Sequence, residues 1–276
     1  MGAVSEPVPD EGRVAIVTGA GRGIGAATVV TLAGSGWSVL AVDRAADDPA
    51  LPYAMSTRAE LDDVVERAGA CAGSPDRVRG VVADVRDHEA MDSVVVRAEE
   101  AWGGLDAAIA CAGVIAGGVP LWEVPLDEEQ AVLDVNLGGA MSLARAAVPA
   151  LLRRPEPRSG RFVAVASAAA TRGLPMLAAY CAAKAGVTGL VRALASELGG
   201  TGITANAVSP GSTTSPMLGE SARLYRLLHA ESFAAQQPIG RLLEPEEVAS
   251  VIVFLAGPGS GGMTGAVVPV DGGLAL

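Results

Sequence analysis

The feature that most restricts this chain is an alternation sustained along its length. Short β-branched or aliphatic runs recur, each followed by an alanine-rich stretch with apolar residues at helical spacing. Two parallel strands can be joined only by a connection long enough to return over one face, so this pattern points to a parallel sheet with crossover helices. Strands are expected at 13–18, 38–43, 78–84, 105–112, 160–167, 203–208 and 266–270. Met91, Val94, Val95, Ala98 and Trp102 fall on one helical stripe, and Leu61, Val64, Val65 and Ala68 repeat it one crossover earlier. Thr57-Arg58-Ala59-Glu60 has the form of a capping box, while Pro245-Glu246-Glu247 puts proline and acids in a first helical turn. The expected fold class is α/β: one doubly wound sheet of seven mainly parallel strands with helices on both faces, over 12–276, behind a flexible tail at 1–11.

The 276 residues would suit one large domain or two small ones, and no repeat or linker divides them. Half are hydrophobic but only 3% aromatic, so the core has to be built from Ala, Val, Leu and Gly. Lys plus Arg total 20 against 31 Asp plus Glu, a net charge of −11. That is the wrong sign for nucleic acid or an anionic membrane, and neither is expected as a partner. The uncharged stretch 23–42 is interrupted by Gly34-Ser35-Gly36 and reads as helix, turn and strand rather than a membrane span. Glu6, Asp10 and Glu11 make the N-terminus unlike a secretory leader. Cys71, Cys111, Cys181, His88 and His229 show no disulfide or metal spacing, so no metal is expected and the compartment reads as a reducing cytoplasm. Cys111 and Cys181 read as small core residues, Trp37 and Trp102 as core, and both histidines as surface or helix-terminal.

Thr18-Gly19-Ala20-Gly21-Arg22-Gly23-Ile24-Gly25 lies between the first strand and an Ala/Val helix. Glycines there let a chain turn sharply and let a pyrophosphate approach backbone amides at a helix N-terminus, which implies a Rossmann-like dinucleotide site at Gly19, Arg22, Gly23, Ile24 and Gly25. Asp43 ends the second strand, where a carboxylate accepts ribose hydroxyls and repels a 2′-phosphate, favouring NAD over NADP. Arg44, like Arg22, is a cation that could oppose that preference. Asp84-Val85, ending the third strand, is placed either to read an adenine edge or, for Asp84, to cap the next helix.

The sharpest signal is Tyr180-Cys181-Ala182-Ala183-Lys184. Nineteen of the 20 basic residues are arginine, and the single lysine stands four residues after one of three tyrosines. On a helix the two share a face. A neighbouring ammonium and a cationic nicotinamide would favour the phenolate and fit Tyr180 for proton transfer near neutrality. Ser167 closes a strand 13 residues earlier, where its hydroxyl can bind a substrate oxygen.

Together with Asn136, Pro210-Gly211 and the ending Val270-Asp271-Gly272-Gly273, these motifs resemble the short-chain dehydrogenase/reductases over essentially residues 12–276. The resemblance implies Ser167 as substrate-oxygen binder, Tyr180 as general acid/base, Lys184 holding the ribose, and Asn136 supporting a proton-relay water. It also implies cofactor contacts from Ala112 and Gly113, and from the stretch Pro210, Gly211, Thr213 and Ser215. Two departures stand out: Ala110-Cys111-Ala112-Gly113 where the family has Asn-Asn-Ala-Gly, and Ser215 where it has threonine. A homotetramer is expected from the resemblance and from the small residues on several faces of 177–198.

Thirty-four residues separate Asp43 from Val78, more than a crossover helix needs. The excess, Arg44 to Ser56, resembles the insertion of mycofactocin-associated members of the family, which implies tightly held NAD and an external redox carrier. Pro49, Leu51, Pro52, Tyr53 and Met55 would let it fold over the cofactor as a lid; the alternative is an exposed insertion. The segment 212–240, with Met217, Leu218, Leu224, Leu227, Leu228 and Phe233, should cover a small hydrophobic alcohol or ketone. The expected function is hydride transfer between such a substrate and NAD. An NADP-dependent ketone or oxoacyl reductase and a non-catalytic dinucleotide-binding sensor are the alternatives.

Overall fold

The computed structural model describes residues 12–276, so the tail expected at 1–11 lies outside the described residues. Seven strands form one sheet: β1 (Val14–Thr18), β2 (Ser38–Asp43), β3 (Val78–Val82), β4 (Ala107–Ala110), β5 (Arg161–Val165), β6 (Thr204–Pro210) and β7 (Val267–Val270). All seven expected strands are present. Their order is β3-β2-β1-β4-β5-β6-β7, and every neighbouring pair is parallel rather than mainly so. Five residues of β1 and six of β2 are buried throughout, as strands covered on both faces must be.

Helices α1 (Gly23–Gly34), α2 (Arg58–Cys71) and α8 (Pro245–Ala256) pack on one face through Val29, Leu32, Leu61, Val64 and Ile252. On the other lie α3 (His88–Trp102), α4 (Leu126–Leu133), α5 (Gly139–Arg153) and α6 (Ala178–Glu197). The capping box at Thr57 forms, with Thr57 and Glu60 each bonding the other's backbone N–H. Trp37 is fully buried, whereas Trp102 is only half-buried, with Arg79 over its ring at 5.4 Å. It therefore packs on the margin of the core from the end of α3 rather than filling its interior. The run Leu126–Arg153 is long and apolar enough to cross a membrane by length and composition, yet half of its apolar window is buried in the fold.

Strand order reverses between β1 and β4. In a doubly wound sheet that reversal opens a crevice at the strands' carboxyl ends. Thr18, Asp43, Ala110, Val165 and Pro210 all end there.

Candidate active site

A cleft of about 610 Å³ occupies that crevice, and every expected cofactor or catalytic residue except Asn136 lines it. At its floor the chain turns from β1 into α1. Gly19 has φ +66° and lies so close to the next strand's exit that a Cβ would come within 2.6 Å of the Ala112 Cα. A Cβ on Gly25 would enter the Gly19 carbonyl. Only glycine fits either position. The N-cap Arg22 makes no side-chain cap, and the first turn of α1 carries no acid. The positive end of the helix thus faces the cleft with open amides, which fits a pyrophosphate.

Asp43, 8% exposed, ends β2 with both carboxylate oxygens engaged. One accepts the Gly21 N–H at 2.8 Å; the other accepts the Ala45 N–H at 3.0 Å and a short bond from the Ser56 hydroxyl. A carboxylate offers about four acceptor positions, so one remains for a ribose hydroxyl. Asp84 does not cap α3, whose N-cap is Asp87; it takes a forked pair of bonds from Arg86 instead. Burial raises the Asp84 carboxyl, but these bonds and the nearby arginines outweigh it and hold the group below its usual range.

The loop between Asp43 and α2 lies across the cleft rather than standing free. Asp48, Leu51 and Ser56 are buried, while Pro49 and Pro52 face outward. Its Tyr53 hydroxyl accepts the Ile115 N–H at 3.0 Å, tying the β2 side of the crevice to the β4 side. Burial pushes that phenol up to about 12, with the Ile115 bond opposing.

Tyr180 and Lys184 share one face of α6, and both are buried. The Lys184 Nζ lies 5.7 Å from the Tyr180 ring centre and donates to the Val165 carbonyl at 2.9 Å, fixing α6 to the end of β5. Ser167, two residues beyond β5, stands near enough to Tyr180 to lower its phenol and accepts the Ala169 N–H at 3.1 Å. The expected lowering of Tyr180 is not found in the protein alone: burial raises the phenol, with Ser167 opposing. Burial also lowers Lys184 to about 8. Dehydration acts on both groups, each toward its neutral form.

Asn136 sits outside the cleft wall in a π-turn at Asp134–Gly138 between α4 and α5. Its amide bonds the carbonyls of Val114 (2.9 Å) and Val132 (2.7 Å), so the widened turn holds the loop after β4 in place. Cys111, where the family has asparagine, is held as a thiol: burial pushes it up to about 12. Thr213 bonds the Gly211 carbonyl, and Ser215 is the N-cap of α7 (Pro216–Leu224).

Met217, Leu218, Leu227 and Phe233 line the cleft's other end, with Leu174 and Leu177. Two expected members do not: Leu224 packs inward over Gly118, and Leu228 is 92% exposed. Sequence reasoning missed Ser56, Asp48, Arg86 and Gln237. Gln237, 2% exposed, accepts the Ser212 N–H at 2.9 Å and donates to the Arg241 carbonyl at 2.6 Å, bracing the loop after β6. The Arg44–Asp48 pair at i, i+4 and the Arg86–Asp84 pair at i, i+2 were within reach of the sequence; the contacts of Arg86 with Asp48 and of Gln237 with Ser212 are tertiary. Among the described residues no group of three or more His, Cys, Asp or Glu gathers to hold a metal.

Residues 19–275 match the family model described as enoyl-(acyl carrier protein) reductase. The short-chain reductase protein NovJ of Streptomyces niveus is 38% identical over 274 residues, 98% of this chain and 97% of that one. Cis-4-hydroxycyclohexanecarboxylate dehydrogenase of Sinomonas cyclohexanicum is 38% identical over 261 residues, 95% and 96% of the two chains. The crystal structure of carveol dehydrogenase from Mycobacterium avium in complex with NAD superposes with a TM-score of 0.89 at 31% identity, covering 96% of this chain and 98% of that one. Similarity of this extent, over a cleft with this arrangement of Ser167, Tyr180 and Lys184, makes the chain a member of the short-chain dehydrogenase/reductase family.

Proposed function

We propose that this oxidoreductase moves hydride between a hydrophobic secondary alcohol or ketone and NAD held beneath the Arg44–Ser56 loop. The observation that carries the reading is the convergence of Ser167, Tyr180 and Lys184 where the apolar and polar halves of the cleft meet. Bound NAD supplies the hydride acceptor or donor. Ser167 holds the substrate oxygen, and the Tyr180 hydroxyl exchanges a proton with it. In alcohol oxidation Tyr180 takes the hydroxyl proton as hydride leaves the same carbon; in ketone reduction it returns one. Lys184 binds the ribose, and its ammonium favours the phenolate when oxidation requires a base.

Asp43, Gly19 to Gly25, Asp84-Val85, Ala112-Gly113 and Pro210 to Ser215 hold the cofactor, and Asn136 serves the proton path by fixing the loop after β4. The similar proteins named for carveol and for a hydroxycyclohexanecarboxylate support a ring-bearing alcohol. The loop across the cleft supports the mycofactocin-associated reading, in which the chain would keep its nucleotide without exchange and an external redox carrier in the cytoplasm would take up the electrons. Two features support a homotetramer. Ala182, Ala185 and Gly189 form an exposed small-residue stripe on α6, and Leu126 and Met141 are exposed on the helices of the same layer.

The test is a single turnover. Carveol or cyclohexanol added to the protein with NAD should produce the absorbance of reduced nicotinamide, and Tyr180→Phe should abolish it. Absence of reduction with every secondary alcohol and ketone tried, in a folded protein that binds NAD, would sink the hydride-transfer reading.

A further inference from the structure

Four charged side chains surround the cleft end where Asp43 stands. Arg44, directly after β2, lies 2.6 Å from Asp48 and 3.3 Å from Asp84. Arg86, in the turn between β3 and α3, lies 2.9 Å from Asp48 and 2.6 Å from Asp84. Both guanidinium groups meet one oxygen of Asp48, which is 4% exposed while its partners remain about 30% exposed. The other oxygen accepts the Ala50 N–H at 3.0 Å, and the Asp48 carbonyl accepts the Leu51 N–H at 3.0 Å. The carboxylate is thereby fixed by its own loop and by both arginines.

This arrangement bears on the choice between NAD and NADP. A carboxylate at Asp43 repels a 2′-phosphate, but Arg44 follows it immediately and lines the same end of the cleft. A guanidinium is shaped to grip phosphate oxygens in pairs. Without Asp48, Arg44 and Arg86 would share Asp84 alone, leaving N–H groups of both guanidinium groups without an acceptor beside Asp43. A phosphate would take those N–H groups in place of the lost carboxylate. With Asp48 present both guanidinium groups are engaged, three carboxylates face two arginines, and a phosphate would have to displace a buried, triply bonded carboxylate.

We propose that Asp48 is a specificity-determining residue for the cofactor: carried by the loop, it silences Arg44 and Arg86 and closes the adenosine end to a 2′-phosphate. The proposal rests on the reading of this cleft as an NAD site and adds that selection is shared between the sheet, through Asp43, and the insertion, through Asp48. A merely structural Asp48, fastening the loop, would affect phosphorylated and unphosphorylated nucleotides alike. A selector changes their ratio.

The probes are ADP and 2′,5′-ADP, titrated calorimetrically into protein cleared of nucleotide by charcoal. The wild type should favour ADP by about 100-fold or more. Asp48→Asn keeps the size and an acceptor for Ala50; it should narrow that ratio at least tenfold while ADP affinity stays within about threefold, and a further Arg44→Gln should restore the ratio. Arg44→Gln alone, in a protein with Asp48 intact, should move the ratio less than about threefold because its guanidinium is already occupied. An unchanged ratio in folded Asp48→Asn, or equal weakening of both probes, would overturn the proposal. So would a tenfold loss of 2′,5′-ADP binding in Arg44→Gln alone, a variant that does not depend on Asp48→Asn folding. A wild type that binds neither probe would instead defeat the cofactor reading on which the proposal stands.

Discussion

Two segments cover the cleft, and they are built differently. The Arg44–Ser56 loop is held by polar bonds with definite partners: Asp48 to two arginines, Ser56 to Asp43, and Tyr53 to a backbone amide. The 212–240 segment is held mainly by apolar packing of Leu218, Ala222 and Phe233, with Tyr225 edge-on to Phe233 at 6.1 Å and bonded to the Pro175 carbonyl at 2.8 Å. A polar network tolerates one geometry and opens only when several bonds break together. Apolar contact is non-directional and adapts to shape. The contrast suits the proposed division of labour, a cofactor kept in place on one side and a substrate that comes and goes on the other.

The largest effect should come from the point where the two halves meet. Tyr180→Phe removes the proton-transferring hydroxyl and touches neither cover, so turnover should fall about 10²- to 10⁴-fold with retained nucleotide unchanged. Steady-state rates beside nucleotide content measure both. More than a tenth of the activity remaining would remove Tyr180 from its role.

Lys184 has a cost to stability. Its folded pKa, about 8, lies below the value of 10.5 for an exposed lysine, so between those values the unfolded chain binds more protons and wild-type stability rises with pH. Lys184→Met should therefore stabilise the protein at neutral pH. About 3 kcal/mol of relieved dehydration, less about 1 for the Val165 carbonyl left unpaired, gives a net gain of about 2 kcal/mol. The gain should fade as pH rises from 8 to 10.5, and denaturant titrations at several pH values would show it. Activity should be lost.

Tyr53→Phe keeps the ring but strips the Ile115 N–H of its acceptor, costing the closed loop about 1–3 kcal/mol. NAD should leave roughly 5- to 150-fold faster in stopped-flow displacement, with the chemical step unaltered. An unchanged rate would mean that this bond does not hold the cover down. The smallest effect belongs to the apolar cover. Phe233→Ala should raise the substrate KM about tenfold, near 1.4 kcal/mol, and leave cofactor release alone. Equal disturbance of both ligands by either variant would erase the distinction between the covers.

The strands, the capping box at Thr57 and the pairing of Tyr180 with Lys184 were legible because each depends on neighbours within a few residues. The cofactor-side motifs were legible for a related reason: glycine spacing and a strand-end aspartate are local consequences of one βαβ turn. The contacts of Ser56 with Asp43, Arg86 with Asp48 and Gln237 with Ser212 were not, since they span 13, 38 and 25 residues and only the tertiary fold makes them. Leu224 and Leu228 show the limit on the substrate side. Both are apolar in the right segment, and only the path of α7 and its following turn decides that one is interior and the other exposed. The rise of Tyr180 in the protein alone was not legible either, because residue spacing carries charge proximity but not burial.

The central claim, a hydride-transfer site whose NAD is kept beneath a polar-bonded loop, is tested most directly by native mass spectrometry of protein purified without added nucleotide and dialysed at length. The account predicts one NAD retained by each subunit of a tetramer, and loss of that nucleotide when Arg44 to Ser56 is shortened to a tight connection. Intact protein that emerges free of nucleotide and then binds NAD rapidly and reversibly, or that carries NADP, would contradict it.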